Sequence, residues 1–139
     1  MKRVLGAMLA GVLATAGAAA QETAATLSVE LNALASSAAG CKLTFLAENG
    51  LDRSLDKVSF EFVFFDLQGR VERMAVLDFR DLPAGKQKVR QFDVSGTKCE
   101  GLKGLLINDT PVCAGEGVDT SACMKALKTG SKAGAELKG

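Results

Sequence analysis

Chemistry at neutral pH usually calls for a side chain that can take and return a proton, and this sequence of 139 residues contains no histidine. The common serine and cysteine triads, which rely on an imidazole base, are therefore not available to it. Carboxylates are the remaining candidates for acid and base work. Asp66, Asp78, Asp81 and Asp93 fall near expected strand ends, where a divergent hydrolase could bring two of them together. They are interleaved with Arg70, Arg73, Arg80 and Arg90, which is also the charge pattern of solvated turns and strand edges. No D-x-[DN]-x-[DN]-G run is present to hold calcium. No catalytic residue is assigned on these grounds, and the chain is expected not to be an enzyme.

The four cysteines, Cys41, Cys99, Cys113 and Cys123, offer the other kind of chemistry. Reactive thiols and metal-binding thiolates favour C-x-x-C spacing or a neighbouring base, and neither is found here. An even number in an exported chain reads as a disulfide framework, so no metal and no cofactor are expected. Three pairings are possible. The expected one joins Cys113 to Cys123 across a short loop of Gly, Glu and Asp, and Cys41 to Cys99, tying the start of one strand to the lead-in of the last.

Export is itself read from the N-terminus. Lys2-Arg3 is a short basic region, Val4 to Gly17 is apolar, and Ala18-Ala19-Ala20 is a small-residue cleavage signal, so residues 1–20 read as a signal peptide. The apolar run falls short of a comfortable bilayer span, so no membrane attachment is expected after cleavage. Removing residues 1–20 takes away two cations and no acid, which turns the formal charge from +1 to −1. A near-neutral chain with no basic run has no electrostatic footprint for nucleic acid. The location implied is periplasmic or secreted.

The elements that must position any site follow from two-residue alternation. Residues 21–26 read as a leader and residues 27–109 as one β-sandwich domain. Leu27, Val29, Leu31 and Ala33 alternate with polar residues, and Cys41, Leu43, Phe45 and Ala47 do so again, giving a hairpin. Val58 to Asp66 holds four of the seven phenylalanines and predicts the central strand, with Val58, Phe60, Phe62 and Phe64 on one face. Asp66-Leu-Gln-Gly69 is a hairpin turn into the strand from Val71 to Phe79, where Arg73 is a misfit on the inward face. Asn49-Gly50 and Leu82-Pro83-Ala84-Gly85 are further turns, and strands follow at Lys88 to Val94 and Leu102 to Asn108. Residues 110–128 read as a disulfide-closed loop and one short helix begun by Asp119, and residues 129–139 as a flexible tail.

An apolar strand ending in Glu48-Asn49, a strand ending Phe64-Phe65-Asp66 with Gly69 in the turn, and Leu82-Pro83-Ala84-Gly85 before a strand carrying Phe92 resemble the small immunoglobulin-like or fibronectin-like modules of exported bacterial proteins. The chain also resembles short uncharacterised secreted proteins of Gram-negative bacteria. The resemblance implies an all-β fold, an antiparallel immunoglobulin-like β-sandwich with a short C-terminal helix, and no catalytic residue. With no tryptophan or tyrosine, the core tryptophan and tyrosine corner of antibody-type domains are absent.

The functional expectation is a non-enzymatic accessory or assembly module of the periplasm that acts by contact with a protein partner in the cell envelope. The alternative is a small-ligand binder or a carboxylate-based hydrolase. If the phenylalanines on the even positions face the core, Val63 and Phe65 lie on the opposite face, where Met74 and Val76 of the neighbouring strand join them. These four form the candidate partner surface. A cover of C-terminal chain, or a bulge that turns Phe65 inward, would remove that surface.

Overall fold

The computed structural model describes residues 10–17 and 25–139. The expected cleavage point after Ala20 and most of the leader lie outside the described residues. Residues 10–17 stand clear of the core, with Val12 and Leu13 almost fully exposed.

Among the described residues there are eight strands: β1 (Leu27–Ser36), β2 (Gly40–Asn49), β3 (Leu55–Phe65), β4 (Val71–Leu82), β5 (Gln87–Ser95), β6 (Gly104–Ala114), β7 (Leu127–Ser131) and β8 (Glu136–Lys138). They make two four-stranded sheets, in the order β5-β2-β1-β7 and β4-β3-β6-β8. The inward residues of both sheets seal one core, as each side of a strand alternates between core and solvent. Phe60, Phe62 and Phe64 are fully buried as the alternation predicts, and Phe45, Phe79 and Phe92 complete an aromatic cluster. Phe79 is at its hub, with ring centroids 4.9 to 6.1 Å from Phe60, Phe92, Phe45 and Phe62.

The sandwich is mixed rather than antiparallel, which corrects the sequence reading. β7 joins β1 in parallel, from Leu27 opposite Leu127 to Leu31 opposite Ser131, and β8 joins β6 in parallel. The expected C-terminal helix amounts to a five-residue turn of helix, α1 (Ala122–Ala126), before the chain extends into β7. Residues 129–139, expected to be a flexible tail, are instead held in β7 and β8. The physical reason is that β1 and β6 each had an unpaired side, and their free backbone groups order a segment too polar to be read as a strand from its side chains. Between β7 and β8 the chain crosses from one sheet to the other. That crossing is fastened by the Lys132 amide donating to the Leu31 carbonyl at 2.9 Å and the Glu136 amide donating to the Lys103 carbonyl at 3.2 Å.

Two local features also depart from simple alternation. A bulge between Leu31 and Ala33 turns Ala33 out to solvent and brings Leu34 against the core instead. Asn49-Gly50 is not a left-handed turn: positive φ occurs at Gly69, Gly85, Gly96, Gly117 and Arg80 among the described residues. Gly50 is needed because a Cβ there would lie 2.6 Å from the Thr26 carbonyl oxygen. Asn49, fully buried, donates its side-chain amide to the carbonyls of Arg53 and Leu82 and so pins the β2–β3 connection to the end of β4. Gly69 behaves as expected, with φ of 76° and its amide on the Asp66 carbonyl at 2.9 Å.

Candidate functional site

The outer face of the β4-β3-β6-β8 sheet collects the candidate surface. Cross-strand partners share a face, so the register places Val63 beside Met74 on one side and Leu106 on the other. The next row carries Val71, Phe65 and Gly104, and Val76 lies opposite Glu61 in the row beyond. Phe65 stays on this face despite the register shift beside it, and the C-terminal chain adds β8 at the sheet edge instead of covering the face. All four sequence-predicted residues are thus brought together. Their accessibilities differ: Met74 and Val76 are 51% and 55% exposed, Phe65 is half-buried, and Val63 is buried among its neighbours.

Two members of the patch escaped the sequence reading. Leu106 is the outward residue of a run whose neighbours Leu105 and Ile107 point into the core, a signal visible in the alternation. Its place next to Val63 needed the strand order. Val71, 59% exposed, was expected inward. The extra residue in β4 between the Phe64–Arg73 and Phe65–Val71 pairs shifts its side.

Gly104, opposite Phe65, has no side chain to fill its row, and a hollow of about 230 Å³ opens there. Phe65, Leu105 and Leu106 supply its apolar lining, and Lys103, Glu136 and Lys138 its charged rim. Lys138 is paired with Glu136 at 3.5 Å, whereas Lys103 has no carboxylate partner among the described residues. The outer face of the other sheet is more polar, although Leu46 and Val89, the latter 58% exposed, pair across strands there. Ser28, Glu30, Thr44, Glu48, Gln91 and Asp93 point outward there, with Gln91 donating to Thr44 Oγ1 at 3.0 Å and Gln87 to Glu48 at 3.2 Å.

Each of the candidate carboxylates has a local partner. Asp66 accepts the amides of Gln68 and Arg70 within the β3–β4 turn, both at 2.9 Å. Asp78 accepts the Arg80 amide at 2.8 Å, which holds Arg80 in its left-handed conformation at φ 60°. Asp93 accepts from the Ser37 hydroxyl, and Asp81 faces Arg90 at 3.5 Å. Their engagement in turns and edges accounts for their positions.

Arginines are used more deeply than their spacing suggested. Arg90, on the inward side of β5, is buried, and its guanidinium reaches across to β4. Nε donates to the Phe79 carbonyl at 2.6 Å and Nη2 to the Asp81 carbonyl at 2.7 Å. Burial, and after it the charge of Arg80, hold its pKa below the ordinary arginine value, while Asp81 and Asp78 act in the opposite sense. Arg73, the inward misfit, lies 6.0 Å above the Phe64 ring and donates to the Ser95 carbonyl at 2.6 Å.

Both expected disulfides are present, Cys41 with Cys99 and Cys113 with Cys123, and no cysteine is free among the described residues. They are consistent with an oxidising, exported location. No family model, curated protein or solved structure matches the chain.

Proposed function

We propose that this is an exported, non-enzymatic accessory or assembly module of the periplasm, immunoglobulin-like in its use of a small disulfide-braced sandwich, that acts by protein contact. The observation that carries the reading is the apolar outer face of one sheet, where Val71, Met74 and Val76 are each more than half exposed beside Phe65 and Leu106. Contiguous apolar surface of this kind marks a contact site in a soluble protein, because scattered single residues would not line up across three strands. The Lys2-Arg3 and Ala18-Ala19-Ala20 segments and the two disulfides support export.

The test is recovery of partners from the native envelope with the intact protein and with Phe65→Asp and Val76→Asp. Val76→Asp, at a position more than half exposed, should keep the wild-type melting transition, and Phe65→Asp, at a half-buried position, is compared at a temperature where circular dichroism shows it folded. Loss of a co-purifying partner in both supports the reading, and unchanged recovery with unchanged folding counts against it. The hollow beside Gly104 favours a second reading, a small amphipathic ligand held with its polar end at Lys103. A ligand of that sort would be displaced by Gly104→Leu, which fills the row.

A further inference from the structure

The two sheets are closed differently along their two flanks. On one flank the chain itself passes from β7 to β8. On the other, the edge strands β4 and β5 lie near each other without pairing. Only part of this second flank is sealed: Arg90 takes the carbonyls of Phe79 and Asp81 at one end of β4, and Arg73 reaches the Ser95 carbonyl of β5 at the other. Between them lies a cleft of about 470 Å³, floored by Ala75, Leu77, Phe92 and Val94, with Arg73 at one end and Asp93, already engaged by the Ser37 hydroxyl, on the β5 side.

Along residues 73–77 every second backbone amide and carbonyl points away from β3 toward this open side, as on any edge strand. No ladder partner or side chain among the described residues takes them. The stretch is also unguarded. Residues 74–77, Met-Ala-Val-Leu, form four successive apolar positions with no charge, proline or register shift. The other long edge, β5, carries Lys88, Arg90 and Asp93, and β7 and β8 are short, which are the usual ways of blunting an edge.

We propose that residues 73–77 of β4 receive an extended segment of another protein, with alternating apolar side chains over the cleft and a carboxylate placed to meet Arg73. Backbone groups of the edge supply the pairing, and Ala75, Leu77 and Phe92 supply the floor for alternate side chains. The carboxylate follows from Arg73, which has no acidic partner among the described residues although it is partly buried. Antiparallel self-pairing centred on Ala75 would set Glu72 opposite a second copy's Asp78 twice over, and like charges directly opposite oppose that register. The slot uses the backbone edge and inward side of β4, whereas the reading above uses its outward side chains, so Met74 and Val76 border both surfaces.

The probe is a short synthetic peptide alternating valine and threonine with one aspartate near an end, titrated into the intact protein and read by amide NMR shifts and hydrogen exchange. Slower exchange across residues 73–77 by about tenfold, with a similar loss of affinity when the aspartate becomes lysine, is the expected result. Two further peptides carry backbone N-methyl groups on alternate residues, in opposite phase. One phase should bind and the other should not, because only one side of the peptide faces β4. Ala75→Lys should abolish the effect while keeping the wild-type fold. Absence of shifts at millimolar peptide, equal binding of both methylated forms, or shifts centred on Val63, Phe65 and Leu106 would each overturn the proposal. So would slow exchange at 73–77 that depends on protein concentration without peptide, which would identify a second copy as the occupant.

Discussion

Replacing Arg90 with methionine should destabilise the fold by about 2–4 kcal/mol, and the reason is hydrogen bonding rather than ion pairing. Methionine keeps much of the unbranched stem that packs between the sheets, so the loss is confined to the guanidinium. That group makes two short bonds, to the carbonyls of Phe79 and Asp81, and a longer, weaker one to the Val89 carbonyl at 3.3 Å, and a good hydrogen bond from a charged donor contributes roughly 1.5–3 kcal/mol. Two such bonds set an upper range of about 3–6 kcal/mol, which falls because carbonyls on an edge strand can regain water. The ion pair to Asp81 adds little, since that carboxylate is 60% exposed and 3.5 Å away. Asp81→Asn should therefore cost less than about 1 kcal/mol. Arg90→Lys, with one point donor in place of a fork, should fall between the two. Urea unfolding of the three variants separates these contributions, and a methionine variant no less stable than Asp81→Asn would refute the assignment.

The remaining predictions concern the core, the bridges and one carboxylate. Phe79→Ala removes the ring that touches four others and should cost about 3–5 kcal/mol in urea melts, with Phe92→Ala milder because Phe92 is only partly buried. The Cys41–Cys99 bridge closes a separation of 58 residues and the Cys113–Cys123 bridge one of 10, so chain entropy gives about 4 and about 3 kcal/mol, and removing the first pair should lower stability more. Asp119 should titrate below the ordinary carboxylate range, chiefly because its anion accepts the Ser121 hydroxyl and then the Ser121 amide. With the folded value depressed, its contribution is present above the unfolded value and is lost as pH falls through the folded one. A carboxyl NMR titration should show the midpoint rise in Ser121→Ala.

How much was legible from the residues depended on whether side chains or neighbours decided the structure. β1 to β5 and the first half of β6 announce themselves because alternation is strong where one side is buried, and the same period put Val63 and Phe65 opposite Phe62 and Phe64, whereas residues 110–114, read as loop, continue β6. The disulfide pairing, one of three that the four cysteines allow, was preferred for the short loop between Cys113 and Cys123, and the structure contains it. β7 and β8 were not legible: Leu127-Lys-Thr-Gly-Ser131 and Glu136-Leu-Lys138 have too few apolar residues to signal a strand, and parallel pairing to β1 and β6 orders them. The roles of Arg73 and Arg90 were hidden for a related reason. A cation in a strand reads as solvated, yet these two lie where two sheet edges leave carbonyls that need donors. Val71 was misplaced because a bulge reverses sidedness without a residue-level mark.

The unequal flanks described above give the molecule a spine. The short crossing between β7 and β8 binds the two layers as a cover is bound to its pages, while the opposite margin is held by the side chains of Arg73 and Arg90 and by no backbone pairing between β4 and β5. Breathing of the sandwich should therefore be angular, widest along β4 and β5, and any guest that enters does so at the fore-edge without unthreading the binding.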